Sequence, residues 1–163
     1  MKKVWIFSTI LSITLLQAAQ VSPKKLYISE CGSCHMAYQP QFLPKRSWLK
    51  MMNTLEDHFK TDASLDKDDR KIITSYLVKN SGDSKRVYKE FRKFNSYISK
   101  NSTPLRISET YYFKKEHRKI PKRFIYQKEV KSLSNCNACH TKAEKGIYSE
   151  RTLFIPNYGR WDD

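Results

Sequence analysis

Hydrophobic positions along this chain recur mostly at helical spacing. Leu26, Tyr27 and Ile28 mark a short helix over 24–30. After a loop broken by Pro40 and Pro44, the residues Trp48, Met52, Leu55 and Phe59 form one apolar stripe. That stripe predicts a helix from Pro44 or Lys45 to about Phe59, with His58 near its edge, about two turns beyond Met51. A third helix is expected to about Asn80, burying Ile72, Ile73, Tyr76 and Leu77. Ser64 or Asp66 would cap it and Asn80-Ser81-Gly82 end it. The acids Asp62, Asp66 and Asp68 do not make a calcium loop, because the turn glycine and closing glutamate are missing. Val87, Phe91, Phe94 and Ile98 predict a basic amphipathic helix within 83–101, and 101–104 reads as a linker. A further helix begins at Ser108 and runs to about Lys119, with His117 in its last turn. The segment 123–126 is expected to be partly extended, 135–144 helical up to Gly146, and 147–163 surface coil. No clear strand alternation appears, so the expected class is mostly α.

The N-terminus stands apart. Lys2-Lys3 followed by the apolar run 4–16 and the small residues around Ala18 and Ala19 reads as a secretory signal peptide over residues 1–19, cleaved after Ala18 or Ala19. The rival reading is an uncleaved anchor, but the run falls short of the roughly 20 residues that span a bilayer. An exported, periplasmic chain follows. The remainder divides into expected lobes of 20–85 and 86–163. With only 39% hydrophobic residues, each lobe alone would have a thin core.

The chemistry lies in two short runs. Cys31-Gly32-Ser33-Cys34-His35 and Cys136-Asn137-Ala138-Cys139-His140 are both C-x-x-C-H and use every cysteine in the chain. This is the attachment motif of c-type haem, in which two thiols form thioethers to one macrocycle and the adjacent His ligates its iron. A redox dithiol does not require the neighbouring His. A four-cysteine zinc site would bring its pairs far closer in sequence than Cys31 and Cys136. Two covalently bound haem c groups are therefore expected, each supplying apolar mass to its lobe. Attachment of c-type haem occurs on the far side of the bacterial inner membrane, which agrees with export.

Two histidines remain, His58 and His117. His58 lies 23 positions after His35, and His117 lies 23 before His140. One spare His in each half matches the need for a second axial ligand on each iron. Met51 and Met52 are rival ligands for the first iron, Met36 is poorly placed to reach the opposite haem face, and no Met follows Met52. Crossed ligation, with His58 on the second iron, is also compatible with the spacing.

Lys and Arg total 31 against 16 Asp and Glu, a formal charge of +15. Such a surface suits an acidic redox partner or an anionic membrane surface, or is simply a solvated lysine-rich exterior. No nucleic-acid motif accompanies it.

These residues carry a resemblance. The run from Glu30 through Pro40, with Leu43-Pro44, Arg46-Ser47-Trp48, 55–59 and 62–65, is similar to the bacterial dihaem cytochrome c family. So are 104–107, Glu116-His117, 134–136 and Cys139-His140. The resemblance implies a first lobe like a small class I cytochrome c and an irregular second lobe with few helices. It implies His35 and His58 on one iron and His117 and His140 on the other. It further implies single-electron traffic between a membrane b-type cytochrome and a small soluble haem protein. The competing reading is a small haem enzyme, a peroxidase or gas reductase, with one open or displaceable iron site.

Overall fold

The computed structural model describes residues 21–85 and 87–161. The signal peptide expected over 1–19 lies outside the described residues. Six helices dominate: α1 Pro23–Cys31, α2 Lys45–Met52, α3 Lys67–Lys79, α4 Lys89–Ser96, α5 Tyr111–His117 and α6 Lys122–Ile125. Short 3-10 turns join them, and one small antiparallel hairpin, β1 Phe154–Ile155 with β2 Gly159–Arg160, follows near the end. The mostly helical class expected from the periodicity is the class observed.

Several expected helices are shorter than the apolar stripes that announce them. The helix expected to reach Phe59 stops at Met52. Its Asn53 N–H is shared among the carbonyls of Leu49, Lys50 and Met51, and the Thr54 hydroxyl donates back to Lys50 O at 3.1 Å. Competition of this kind between a Thr hydroxyl and the helical ladder unwinds a terminus. Leu55 stays buried on a 3-10 turn, Leu55–Asp57, while Phe59 is left exposed. His58 is therefore not a helical residue.

The helix expected from Ser108 likewise begins later. The Thr110 hydroxyl donates to Ile107 O at 2.7 Å, and Thr110 is extended at ψ 149°, so a 3-10 turn, Ile107–Glu109, is separated from α5. The segment 123–126 is not extended: Pro121 starts the single helical turn of α6. The run 135–144 is two 3-10 turns, Cys136–Ala138 and Ala143–Lys145, the second closed by Gly146 at φ 74°. Such a left-handed position suits glycine. The expected surface coil after it contains a further turn, Glu150–Thr152, and the hairpin, whose loop holds Asn157 at φ 60°.

One apolar cluster runs from Tyr27, Phe42, Leu43, Trp48, Met52 and Leu55, through Ile73 and Leu77, to Val87, Phe91, Phe94, Ile107 and Phe113. α3 packs on α1 and α2, and α4 packs on the 3-10 turn Pro40–Phe42. The Phe42 ring meets Phe91 and Phe94 edge-on at 4.8 and 5.2 Å. Two of the polar groups at this core are satisfied by backbone carbonyls: Trp48 Nε1 donates to Pro40 O at 2.7 Å, and Gly82 N to Leu43 O at 2.8 Å. The loop around 101–104 is tied down, because the Arg46 guanidinium donates to Ser102 O and Ser99 O at 2.6 and 2.8 Å. Beyond this cluster lie the buried side chains Val130, Cys136, Ala143 and Ile155. The segment carrying the second cysteine pair thus rests on few apolar residues.

Candidate haem sites

α1 delivers the first motif. It ends at Cys31, and Gly32 N–H returns to Ile28 O at 2.9 Å. A Cβ on Gly32 would lie 2.2 Å from that same carbonyl, so only glycine allows the chain to leave the helix this tightly between the two cysteines. The exposed His35 ring has its Nδ1 2.8 Å from Met36 O. A carbonyl only accepts, so Nδ1 carries the proton and Nε2 is left with its lone pair. This is the tautomer a metal-binding histidine needs.

His58 faces that ring from a different element. The two ring centres are 6.2 Å apart and the planes differ by 25°. His58 sits at the head of a tight loop in which Phe59 (φ 57°) and Lys60 (φ 72°) are both left-handed. Two successive non-glycine residues in that region store strain. The loop is held by reciprocal bonds between His58 and Thr61 at 2.9 and 3.2 Å, and by Lys60 N–H donating to the Asp57 carboxylate at 3.1 Å. The Arg106 guanidinium lies over the Phe59 ring, 3.8 Å from its centre. Burial, then the neighbouring His35 and Arg106, lowers the His58 pKa and so favours the neutral ring. Beside it opens a cleft of about 290 Å³ lined in part by Met51, Thr54, Lys60 and Arg106.

The second site repeats the pairing in reverse order. Cys136 and His140 lie on a turn closed by His140 N–H to Cys136 O at 2.8 Å. The C-terminal segment clamps it: Thr141 N–H donates to Thr152 O, Phe154 N–H to Cys139 O, and His140 bridges Leu153. His117, the last residue of α5, has Nδ1 2.8 Å from Phe113 O, and the Phe113 ring stacks on it at 3.9 Å and 11°. The rings of His117 and His140 are 6.1 Å apart, at 68°. Burial, then His117, depresses the His140 pKa to about 4. Its Nδ1 is buried without a hydrogen-bond partner, an arrangement that costs about 1–3 kcal/mol in a closed core.

The donor set fits two covalent haem groups. Imidazole nitrogens bind first-row metals at about 2 Å, so two rings in line across one metal have centres roughly 6 Å apart. Both pairs show that spacing, and all four imidazoles belong to one or the other. No disulfide joins any two of the four cysteines. Burial pushes Cys31 and Cys136 up to about 11, and Cys139 is raised in the same way. Neutral thiols of this kind are unlike the activated thiolate of a redox dithiol. Among the described residues no three His, Cys, Asp or Glu side chains gather as a metal-ion cluster, which is what a structural zinc site requires.

The sequence reading missed the link between the two sites. Tyr38 stands 5.1 Å from the His35 ring, and its hydroxyl donates to Ser134 O at 2.6 Å, two residues before Cys136. Gln39 Nε2 donates to Ala143 O at 2.8 Å. The Tyr148 hydroxyl bonds to Gln39 Oε1, while its ring lies 5.3 Å from His140 and 5.2 Å from Phe42. Burial, then Cys136, raises the Tyr38 hydroxyl to about 12, and burial raises Tyr148 further. Proximity of Tyr38 to the first motif was the one available signal; nothing in sequence marks Tyr148 as its counterpart. Replacing Tyr148 with Phe removes the hydroxyl and leaves Gln39 Oε1 without its donor, while Gln39 Nε2 keeps its bond to Ala143 O. The expected loss is about 1–2 kcal/mol in denaturant unfolding of the holoprotein. Unchanged stability would show that the link carries no load.

Comparison with known proteins agrees with this geometry. A family profile described as dihaem cytochrome c matches residues 27–148. The solved dihaem cytochrome type c of Shewanella baltica OS155 is 37% identical, with a TM-score of 0.71, covering 86% of this chain and 98% of that one. The dihaem cytochrome c of Rhodobacter sphaeroides is 43% identical, with a TM-score of 0.68, covering 76% and 94%. No curated relative matches. The chain belongs to the dihaem cytochrome c family, a haem-binding electron-transfer protein carrying two haem c groups.

Proposed function

We propose that this chain is an exported single-electron carrier whose two irons are each closed by two histidines, His35 with His58 and His140 with His117. The observation that carries the reading is the pair of ring separations, 6.2 and 6.1 Å. Cys31 and Cys34 would anchor one haem, and Cys136 and Cys139 the other, in lobes spanning 20–85 and 86–163. Haem held there would supply a one-electron ferric/ferrous couple. Everything else is work for the protein. Met36 O and Phe113 O fix ring tautomers, and Phe113 holds the His117 ring in plane. The four imidazoles would hold the two irons, two to each, and so would leave no open site for a substrate. Two nitrogen ligands on each iron would hold the potentials below those of Met/His sites. Tyr38, Gln39 and Tyr148 hold the two motifs at a fixed separation, which one-electron transfer between them needs.

The compartment is the periplasm, with residues 1–19 as a signal peptide removed after Ala18 or Ala19. The partners are redox proteins, a membrane b-type cytochrome on one side and a small soluble haem protein on the other. An anionic membrane surface is a further candidate for the basic exterior. One observation favours a second reading for the first site: His58 sits on a strained loop beside an open cleft. A displaceable His58 would suit a small haem enzyme. Carbon monoxide added to the dithionite-reduced holoprotein separates the two readings. The carrier keeps its six-coordinate spectrum over the minutes of mixing; binding of about one equivalent would favour the enzyme.

A further inference from the structure

α5 ends at His117, but its first turn builds something the haem sites do not use. Tyr97, the residue capping α4, lies between two rings of α5's first turn. It stacks on Tyr111 at 5.5 Å and 27°, and on Tyr112 at 5.4 Å and 25°. Tyr111 is 63% exposed and Tyr97 44% exposed. Rings this exposed are not there to fill a core. Lysines surround the stack: Lys93 Nζ lies 5.4 Å from the Tyr112 ring centre and Lys115 Nζ 5.9 Å from that of Tyr97, with the exposed Lys114 between Tyr111 and His117 in sequence. The one acid on α5 is Glu116. The stack is backed by the core, since Phe94 packs against Tyr112 at 5.6 Å and Phe113 is buried. From Tyr111 to His117 the helix rises only about 9 Å.

Tyrosines of low conformational cost are typical centres of protein interfaces, and a charged rim steers the encounter. We propose that this tyrosine stack with its lysine rim is the docking face through which an acidic redox protein exchanges electrons at the second haem. The proposal rests on the carrier reading above. Charge complementarity favours a protein bearing carboxylates: the full chain carries +15, and around the stack Lys93, Lys114 and Lys115 outnumber the single acid, Glu116. A lipid surface would use the same charge but gains nothing from lying one short helix away from His117. Electron-transfer encounters are small and transient, so a patch of this size suffices. Their rates fall as salt screens the attraction.

The test is anaerobic stopped-flow reduction of the oxidised holoprotein by a reduced plant-type [2Fe–2S] ferredoxin, an acidic one-electron donor. K114E/K115E is compared with K67E/K71E, which makes the same change of charge at exposed positions on α3. The expected result is a fall of about tenfold in the second-order rate constant for K114E/K115E and of less than twofold for K67E/K71E, at low salt. Tyr97→Ala, which changes no charge, should lower the rate several-fold. All variants should keep the low-spin spectrum of the parent. Equal falls in both pairs would mean net charge alone acts, and would overturn the proposal. So would loss of binding to phosphatidylserine vesicles in K114E/K115E with its ferredoxin rate unchanged, which would make this a lipid face. No reduction by ferredoxin, with both haems reducible by dithionite, would overturn the docking face and leave the carrier reading intact. A purified chain without haem would overturn both.

Discussion

His117→Ala should convert one of the two haems from low-spin to high-spin and let it bind about one equivalent of carbon monoxide, leaving the other haem unchanged. The reason is geometric. The His117 ring is held by its Nδ1 bond to Phe113 O and by the Phe113 ring stacked 3.9 Å away. No Met follows Met52 in sequence, so no thioether stands nearby in the chain to replace it. Alanine therefore leaves an open axial position beside a preserved His140. His58→Ala should do the same at the first iron, with one difference. Met51 lines the same cleft as His58, and capture by its sulfur would give a low-spin Met/His site with a raised potential. Absorption and magnetic circular dichroism spectra distinguish these outcomes. An unchanged spectrum in His117→Ala would remove that residue from the second coordination position.

The second large effect is on folding. Cys136→Ala with Cys139→Ala should yield a protein one haem lighter whose C-terminal segment is rapidly cut by protease. Apart from Val130, Cys136, Ala143 and Ile155, the described residues after Phe113 contribute no buried apolar side chain. A macrocycle burying about 300 Å² of apolar surface contributes on the order of 7 kcal/mol, comparable to the whole stability of a small domain. The segment 130–155 should consequently lose its fold, while the cluster around Trp48, Ile73 and Leu77 survives. Mass spectrometry counts the haem, and limited proteolysis maps the cuts. A native-like protease pattern in the one-haem variant would show that the protein core alone holds this segment. The same variant serves a second purpose. Adding His58→Ala to it asks whether His58 closes the iron of its own half, because only the first haem remains.

Much of this was legible because attachment chemistry is local. The cysteine pairs and their histidines lie within five residues, and covalent bonding fixes that spacing. The helical class was legible too, since the stripes through Trp48, Met52, Ile73, Leu77, Phe91 and Phe94 all became core. What failed was length. Thr54 and Thr110 each spend a hydroxyl on a backbone carbonyl and break an otherwise continuous stripe. The consequence at Thr54 reaches the site, for it puts His58 on a left-handed loop and not on a helix. Periodicity cannot register a single competing hydrogen bond. Contacts across about 100 residues, such as Tyr38 to Ser134 and Gln39 to Tyr148, were illegible for a different reason. They depend on the relative placement of segments, to which no local pattern refers.

The central claim is that both irons are closed by histidine pairs. Low-temperature EPR of the oxidised holoprotein, quantified against its pyridine haemochrome, tests it directly. The expected result is two haems per chain and low-spin ferric signals accounting for both. The contrast in ring-plane angle, 25° for His35 and His58 against 68° for His117 and His140, should give the two signals different anisotropy. A high-spin signal amounting to about one haem per chain would contradict the account.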